Sequence, residues 1–140
     1  MAAPCVFCAI VRGEVPASFV LREAGVAAFL DARPVFKGHV LVVTTAHIED
    51  FHALPAAEVG PFWQAVQRVS RAVESGLQAQ GTFIGVNTKI SQSVPHLHAH
   101  VVPRRKGDGL RGFFWPRTTY ESDAEREGFA ARIVAAVDVS

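Results

Sequence analysis

The chain has 140 residues, a formal net charge of +1, and 49% hydrophobic against 19% charged residues. That length suffices for one domain with a core of its own, expected to span 1–140, and that balance excludes a disordered chain. The near-neutral total gives no ground for expecting nucleic acid or a membrane as partner, and no apolar run approaches a membrane span. The opening MAAPCVFCAI lacks a basic segment ahead of a long apolar one, so no signal peptide is expected and a cytoplasmic location is. Both cysteines, Cys5 and Cys8, fall in one C-x-x-C. In a reducing compartment that spacing fits a metal site or a redox pair better than a structural disulfide, and taken alone it also fits neither role.

Next, VRGEVPAS carries Gly13 and Pro16 and reads as a turn. FVLREAGVAAFLDARP gives two short strands that bend at Gly25 and stop at Asp31, before Pro34. KGHVLVVTTAH is a third strand, introduced by Gly38 and rich in β-branched residues. The period then changes. Phe62, Ala65, Val66, Val69, Ala72, Val73 and Leu77 recur at helical spacing with polar residues between them, which predicts an amphipathic helix starting near Pro61 or a turn earlier. GTFIGVN and VPHLHAHVVP are two further strands. SDAEREGFAARIVAAVDV is a C-terminal helix capped by Ser122 or Asp123. This order lacks the regular alternation of a parallel α/β protein. It predicts an α+β fold with a mainly antiparallel sheet of about five strands, one long helix and a C-terminal helix.

Three of the six histidines, His96, His98 and His100, lie at alternate positions in PHLHAHVVPR. On a strand they share one face, while Leu97, Ala99 and Val101 point to the core. Neighbouring histidines are then ~6.7 Å apart and the outer two ~13 Å apart. One tetrahedral ion with bonds of ~2.0 Å does not gather all three, although two could share a metal. The alternative is a solvated polar face, but strict alternation suits phosphoryl or nucleotidyl transfer. One imidazole attacks phosphorus and its neighbours fix its tautomer and handle protons. The central ring, His98, is the natural nucleophile because it alone has a histidine on each side.

HLHAHVV also resembles the signature of the histidine triad (HIT) family of nucleotide hydrolases and transferases. CVFCAIVRGEVPA, AFLDARPVFKGHVLVV and QSVPHLHAHVVPR follow in that family's order, so the resemblance runs from Cys5 to about Arg105. It implies a HIT-like fold with His98 as the nucleophile and His100 at the α-phosphate and leaving group. His39 is implied as a further histidine bonded in behind the triad. Asp31 is similar to the acidic residue that takes the ribose hydroxyls, and Phe29 lies near the base. Asn87, Gln92 and Ser93 resemble phosphate-side contacts. Where relatives commonly carry glycine before Gln-Ser/Thr-Val, this chain has Ser91. The zinc-containing bacterial type of the family holds a structural zinc with two cysteines and two histidines, which here would be Cys5, Cys8, His47 and His96. His52 is left without a role.

The function so implied is hydrolysis at the α-phosphate of an adenosine (purine) nucleoside phosphoramidate through a nucleotidyl-histidine intermediate. The protein would act as a homodimer binding AMP or its derivatives. Two alternatives stand beside it: hydrolysis of a dinucleoside polyphosphate, with Lys89, Arg104, Arg105 and Lys106 on the extra phosphates, and a nucleotide-binding module with incidental catalysis. The adjacent aromatics Phe113, Phe114 and Trp115 are expected at a dimer contact or at the mouth of the substrate pocket.

Overall fold

The structure is a computed structural model and describes residues 4–110 and 117–137. Phe113, Phe114 and Trp115 lie outside the described residues. The chain forms two compact units, Met1–Asp108 and Gly109–Ser140, each taken by itself. The first contains helix α1 (Val6–Val11), strands β1 (Phe19–Glu23), β2 (Val26–Leu30) and β3 (Val40–Thr44), helix α2 (Ala56–Leu77), and strands β4 (Gly81–Gly85) and β5 (His98–Arg104).

The five strands form one antiparallel sheet in the order β1-β2-β3-β5-β4. Gly25, at φ +86°, supplies the left-handed turn between β1 and β2. Val42 pairs with Ala99, Val43 with His98 and Leu41 with His100. That register decides the two faces. Val26, Ala28, Val40, Val42, Leu97, Ala99 and Val101 pack with Phe62, Ala65, Val66, Val69 and Val73 of α2 in one buried cluster. Ala27, Phe29, Leu41 and Val43 pack with Phe7 and Ile10 of α1 in a second. His98 and His100 follow the pairing of Val43 and Leu41, so they emerge on the α1 face, away from α2.

The helical stripe is shorter at its end than its spacing predicts: Ala72 and Leu77 are exposed. Leu77 reaches over Gly38, where a Cβ would collide with it and where φ is +100°. The helix then stops at Gln78 in the left-handed region, whose N–H bonds back to Glu74 O. Two elements were not expected. α1 occupies the stretch opened by the C-x-x-C, and a short 3-10 turn, Phe51–Ala53, carries the exposed His52. The strand expected over VPHLHAHVVP begins only at His98, so His96 sits in the approach to β5 and not within it.

In the second unit, helix α3 (Asp123–Ala136) is capped by Ser122, whose hydroxyl accepts the N–H of Glu125. Among the described residues no helix is long and apolar enough to cross a membrane.

Candidate active site

His98 and His100 line a cavity of about 910 Å³ on the α1 face of the sheet. β5 is held between β3 and β4, which fixes both backbones. Phe29 and Asp31 at the end of β2, Ser93 in the loop before β5, and Val6, Phe7 and Ile10 of α1 complete the wall that bears on function. The ring centroids of His98 and His100 are 5.0 Å apart, and Phe7 meets His98 edge-on at 5.0 Å.

Hydrogen bonds to the backbone decide where the protons sit. His98 Nδ1 lies 2.8 Å from His96 O. A carbonyl only accepts, so Nδ1 carries the proton and Nε2 keeps a free lone pair. His96 Nε2 lies 2.7 Å from Thr44 O, which likewise places its proton on Nε2 and leaves Nδ1 as the lone-pair nitrogen. That nitrogen faces Cys5 Sγ at 3.4 Å and Cys8 Sγ at 3.5 Å, while His47 Nδ1 is 3.3 Å from Cys8 Sγ. One carbonyl, that of His96, therefore joins the cysteine cluster to the ring on the cavity wall.

Burial is the leading influence on three of the rings. Desolvation pushes His100 down from 6.5 to about 4, with His98 and His39 adding to the effect and the Asp31 carboxylate opposing it. His39 and His96 are lowered for the same first reason, with Asp31 and the Thr44 carbonyl respectively pulling the other way. Near neutral pH these imidazoles are uncharged. His39 stands behind His100, with its Nε2 3.0 Å from His100 Nδ1.

Cys5, Cys8, His47 and His96 bring four ligand atoms within 4.8 Å of one another. Ligand atoms on one tetrahedral zinc stand about 3.3–3.8 Å apart, given bonds of 2.0–2.3 Å. Three of the separations, 3.3–3.5 Å, match that spacing, and two thiols with two imidazoles are a donor set suited to zinc. Burial and the neighbouring Cys5 thiol raise the Cys8 pKa above 9.0. A metal would reverse that preference by binding the thiolate. Asp31, His39 and His100 form a second cluster, but the two rings there are hydrogen-bonded to each other.

The structure gathers Phe29, Asp31, Ser93, His98 and His100 around one cavity, with His39 behind them. Asn87 and Gln92 do not line it. Both ends of the Gln92 amide are engaged with the backbone: it donates to Glu49 O at 2.7 Å and accepts from Lys89 N–H at 2.9 Å. Gln92 thus ties its loop to the segment after β3. Ser91 sits at φ +60° and Lys89 at φ +71°. The loop therefore asks Ser91 for the left-handed backbone that glycine adopts freely. The α1 wall was missed by sequence reasoning. Its only sequence trace is the apolar pair Phe7 and Ile10 at helical spacing, in a run too short to show a period.

The HIT domain family model matches residues 12–107. An uncharacterized HIT-like protein of Mycobacterium tuberculosis is 39% identical over 109 residues, covering 76% of each chain. A Schizosaccharomyces pombe protein named adenosine 5'-monophosphoramidase is 30% identical over 112 residues, 80% of this chain and 83% of its own. Among solved structures, a HIT family member from Bacillus subtilis superposes with a TM-score of 0.85 at 30% identity, covering 95% of this chain and 96% of that one. A Zn-bound histidine triad family protein from Mycobacterium smegmatis gives 0.72 at 36% identity, with 94% and 96% covered.

Proposed function

The chain belongs to the HIT domain family, and on that premise we propose that it hydrolyses adenosine 5'-phosphoramidates through a nucleotidyl-His98 intermediate. The observation that carries this reading is the 2.8 Å bond from His98 Nδ1–H to His96 O, which leaves Nε2 as a lone pair on a ring lining the cavity. The name of the S. pombe relative supports the choice of substrate class.

In the first step the Nε2 lone pair of His98 forms a bond to the α-phosphorus. The P–N bond to the amine breaks, its electron pair goes to nitrogen, and the amine takes a proton from solvent as it departs. Water then adds to phosphorus, the bond to Nε2 breaks, and its pair returns to the imidazole. The proton that water loses balances the one the amine took. The net change is phosphoramidate plus water to AMP plus amine. His100 contacts the phosphoryl oxygens, Ser93 donates its hydroxyl to them, and Asp31 accepts from the ribose hydroxyls. Phe29 and the α1 residues Val6 and Ile10 wall the base. Zinc held by Cys5, Cys8, His47 and His96 fills a closed four-ligand site whose contribution is structural. By family resemblance the working form is a homodimer.

A panel of adenosine phosphoramidates and dinucleoside polyphosphates tests the substrate class. Faster turnover of the phosphoramidates is expected. Turnover confined to polyphosphates would move the assignment to the alternative hydrolase, and tight AMP binding without turnover of either would leave a binding module.

A further inference from the structure

Val35 lies four residues before His39, outside the cavity wall, and is 53% exposed. Its backbone N–H donates to His39 Nδ1 at 3.1 Å. An N–H has no lone pair, so the nitrogen that meets it must be the unprotonated one. His39 is thereby fixed with its proton on Nε2, directed at His100 Nδ1 3.0 Å away. His100 Nδ1 must then accept, and the proton of His100 resides on Nε2. The direction of the relay is set at one backbone amide.

A rival partner is in place. Asp31 Oδ2 stands 3.7 Å from His39 Nδ1, beyond hydrogen-bond reach, and the other carboxylate oxygen already accepts from Arg33 N–H at 2.8 Å. If the carboxylate captured His39, the proton of that ring would move to Nδ1. His39 Nε2 would then accept from His100 Nδ1–H, and His100 would present a bare lone pair on its other nitrogen. Beside an anionic phosphate that lone pair repels where an N–H donates.

We propose that the Val35 backbone N–H is a positioning group for the reaction: acting through His39, it selects the tautomer of His100 that offers Nε2–H to the α-phosphate. Burial keeps both rings neutral, so hydrogen bonding rather than charge chooses between the two arrangements. The catalytic consequence rests on the hydrolase reading above. The tautomers themselves are a property of the free protein.

Nitrogen-15 NMR of histidine-labelled protein near neutral pH reads them without substrate. His39 and His100 are both expected as Nε2–H tautomers. An Nδ1–H signal on His39 of the parent protein would overturn the proposal. Val35→Pro removes the N–H while changing a half-exposed side chain, and Val35→Ala keeps it. Proline is expected to shift His39 and His100 toward Nδ1–H and to lower kcat by up to roughly 10²–10³-fold, the loss seen when one preorganised donor is removed, with KM near the parent value. Alanine is expected to keep the parent spectrum. Unchanged tautomers in a folded Val35→Pro protein would also overturn the proposal, and if that variant does not fold the parent spectrum decides. A parent with the expected tautomers but no phosphoramidate turnover would remove the hydrolase reading and leave the tautomer assignment standing.

Discussion

At the scale of single residues, the rings of the site are defined by what their second nitrogen touches. His98 and His96 point their protons at carbonyl oxygens, and His39 and His100 bond to one another. Because folding depresses the pKa of His39 and of His100, the native state binds fewer protons than the unfolded chain between the unfolded value of 6.5 and the lowered folded values. Stability from this source is complete above about pH 6.5 and is lost as pH falls toward 4, by at most about 3 kcal/mol for His100. Urea midpoints measured from pH 7.5 to 4.5 should fall with acid, and His100→Gln should flatten part of that slope. Ser91 offers a second residue-level test. A non-glycine residue in the left-handed region costs roughly 1–2 kcal/mol, so Ser91→Gly should raise the melting temperature modestly; a lower one would mean that the serine side chain holds the loop. The position was visible in the sequence as a serine where relatives commonly carry glycine, but only the φ of +60° gives it physical meaning.

At the scale of elements, α1 has two duties that its sequence did not announce. Cys5 caps it and Cys8 lies in its first turn, while Val6, Phe7 and Ile10 face the cavity. The helix that brings the two cysteines to the cluster therefore also forms part of the cavity wall. Removing the proposed zinc with a chelator should therefore lower the melting temperature and also weaken AMP binding, measured by calorimetry on the stripped and zinc-restored protein. Intact AMP affinity in stripped protein would separate the two duties. Phe7 packs edge-on against Phe29 and His98 and is 6% exposed. Phe7→Ala should cost about 3 kcal/mol or more of stability and raise KM for the nucleotide. The strands were legible from β-branched runs bounded by glycine and proline, and α2 from a period-3.6 pattern long enough to be counted. A six-residue helix carries less than two turns, so its pattern is indistinguishable from a turn until the sheet beneath it is known.

At the scale of the whole molecule, the sheet separates structure from chemistry. One face is closed by α2 and the other holds α1, the cavity and the histidines. The α+β class and the antiparallel sheet were readable from element order, and so was the shared face of His98 and His100, since alternation on a strand is obligatory. The exclusion of Asn87 and Gln92 from the cavity was not readable, because loop direction depends on the backbone turn at Lys89 and Ser91. Phe62 is buried on the far side of the sheet from the cavity. Phe62→Ala should then destabilise by about 3–5 kcal/mol while leaving kcat per folded molecule near the parent value, and a large loss of kcat at temperatures where the variant is fully folded would contradict this division. Among the described residues β4 stands last in the strand order; for the proposed homodimer, sedimentation should give about twice the chain mass of 15.1 kDa. The central claim is that His98 Nε2 bonds to phosphorus, and rapid quenching with an adenosine phosphoramidate labelled at phosphorus tests it most directly. An acid-labile adduct that maps to His98 and is missing from His98→Ala is the predicted result. An adduct on another residue, or turnover by His98→Ala at the parent rate, would contradict it.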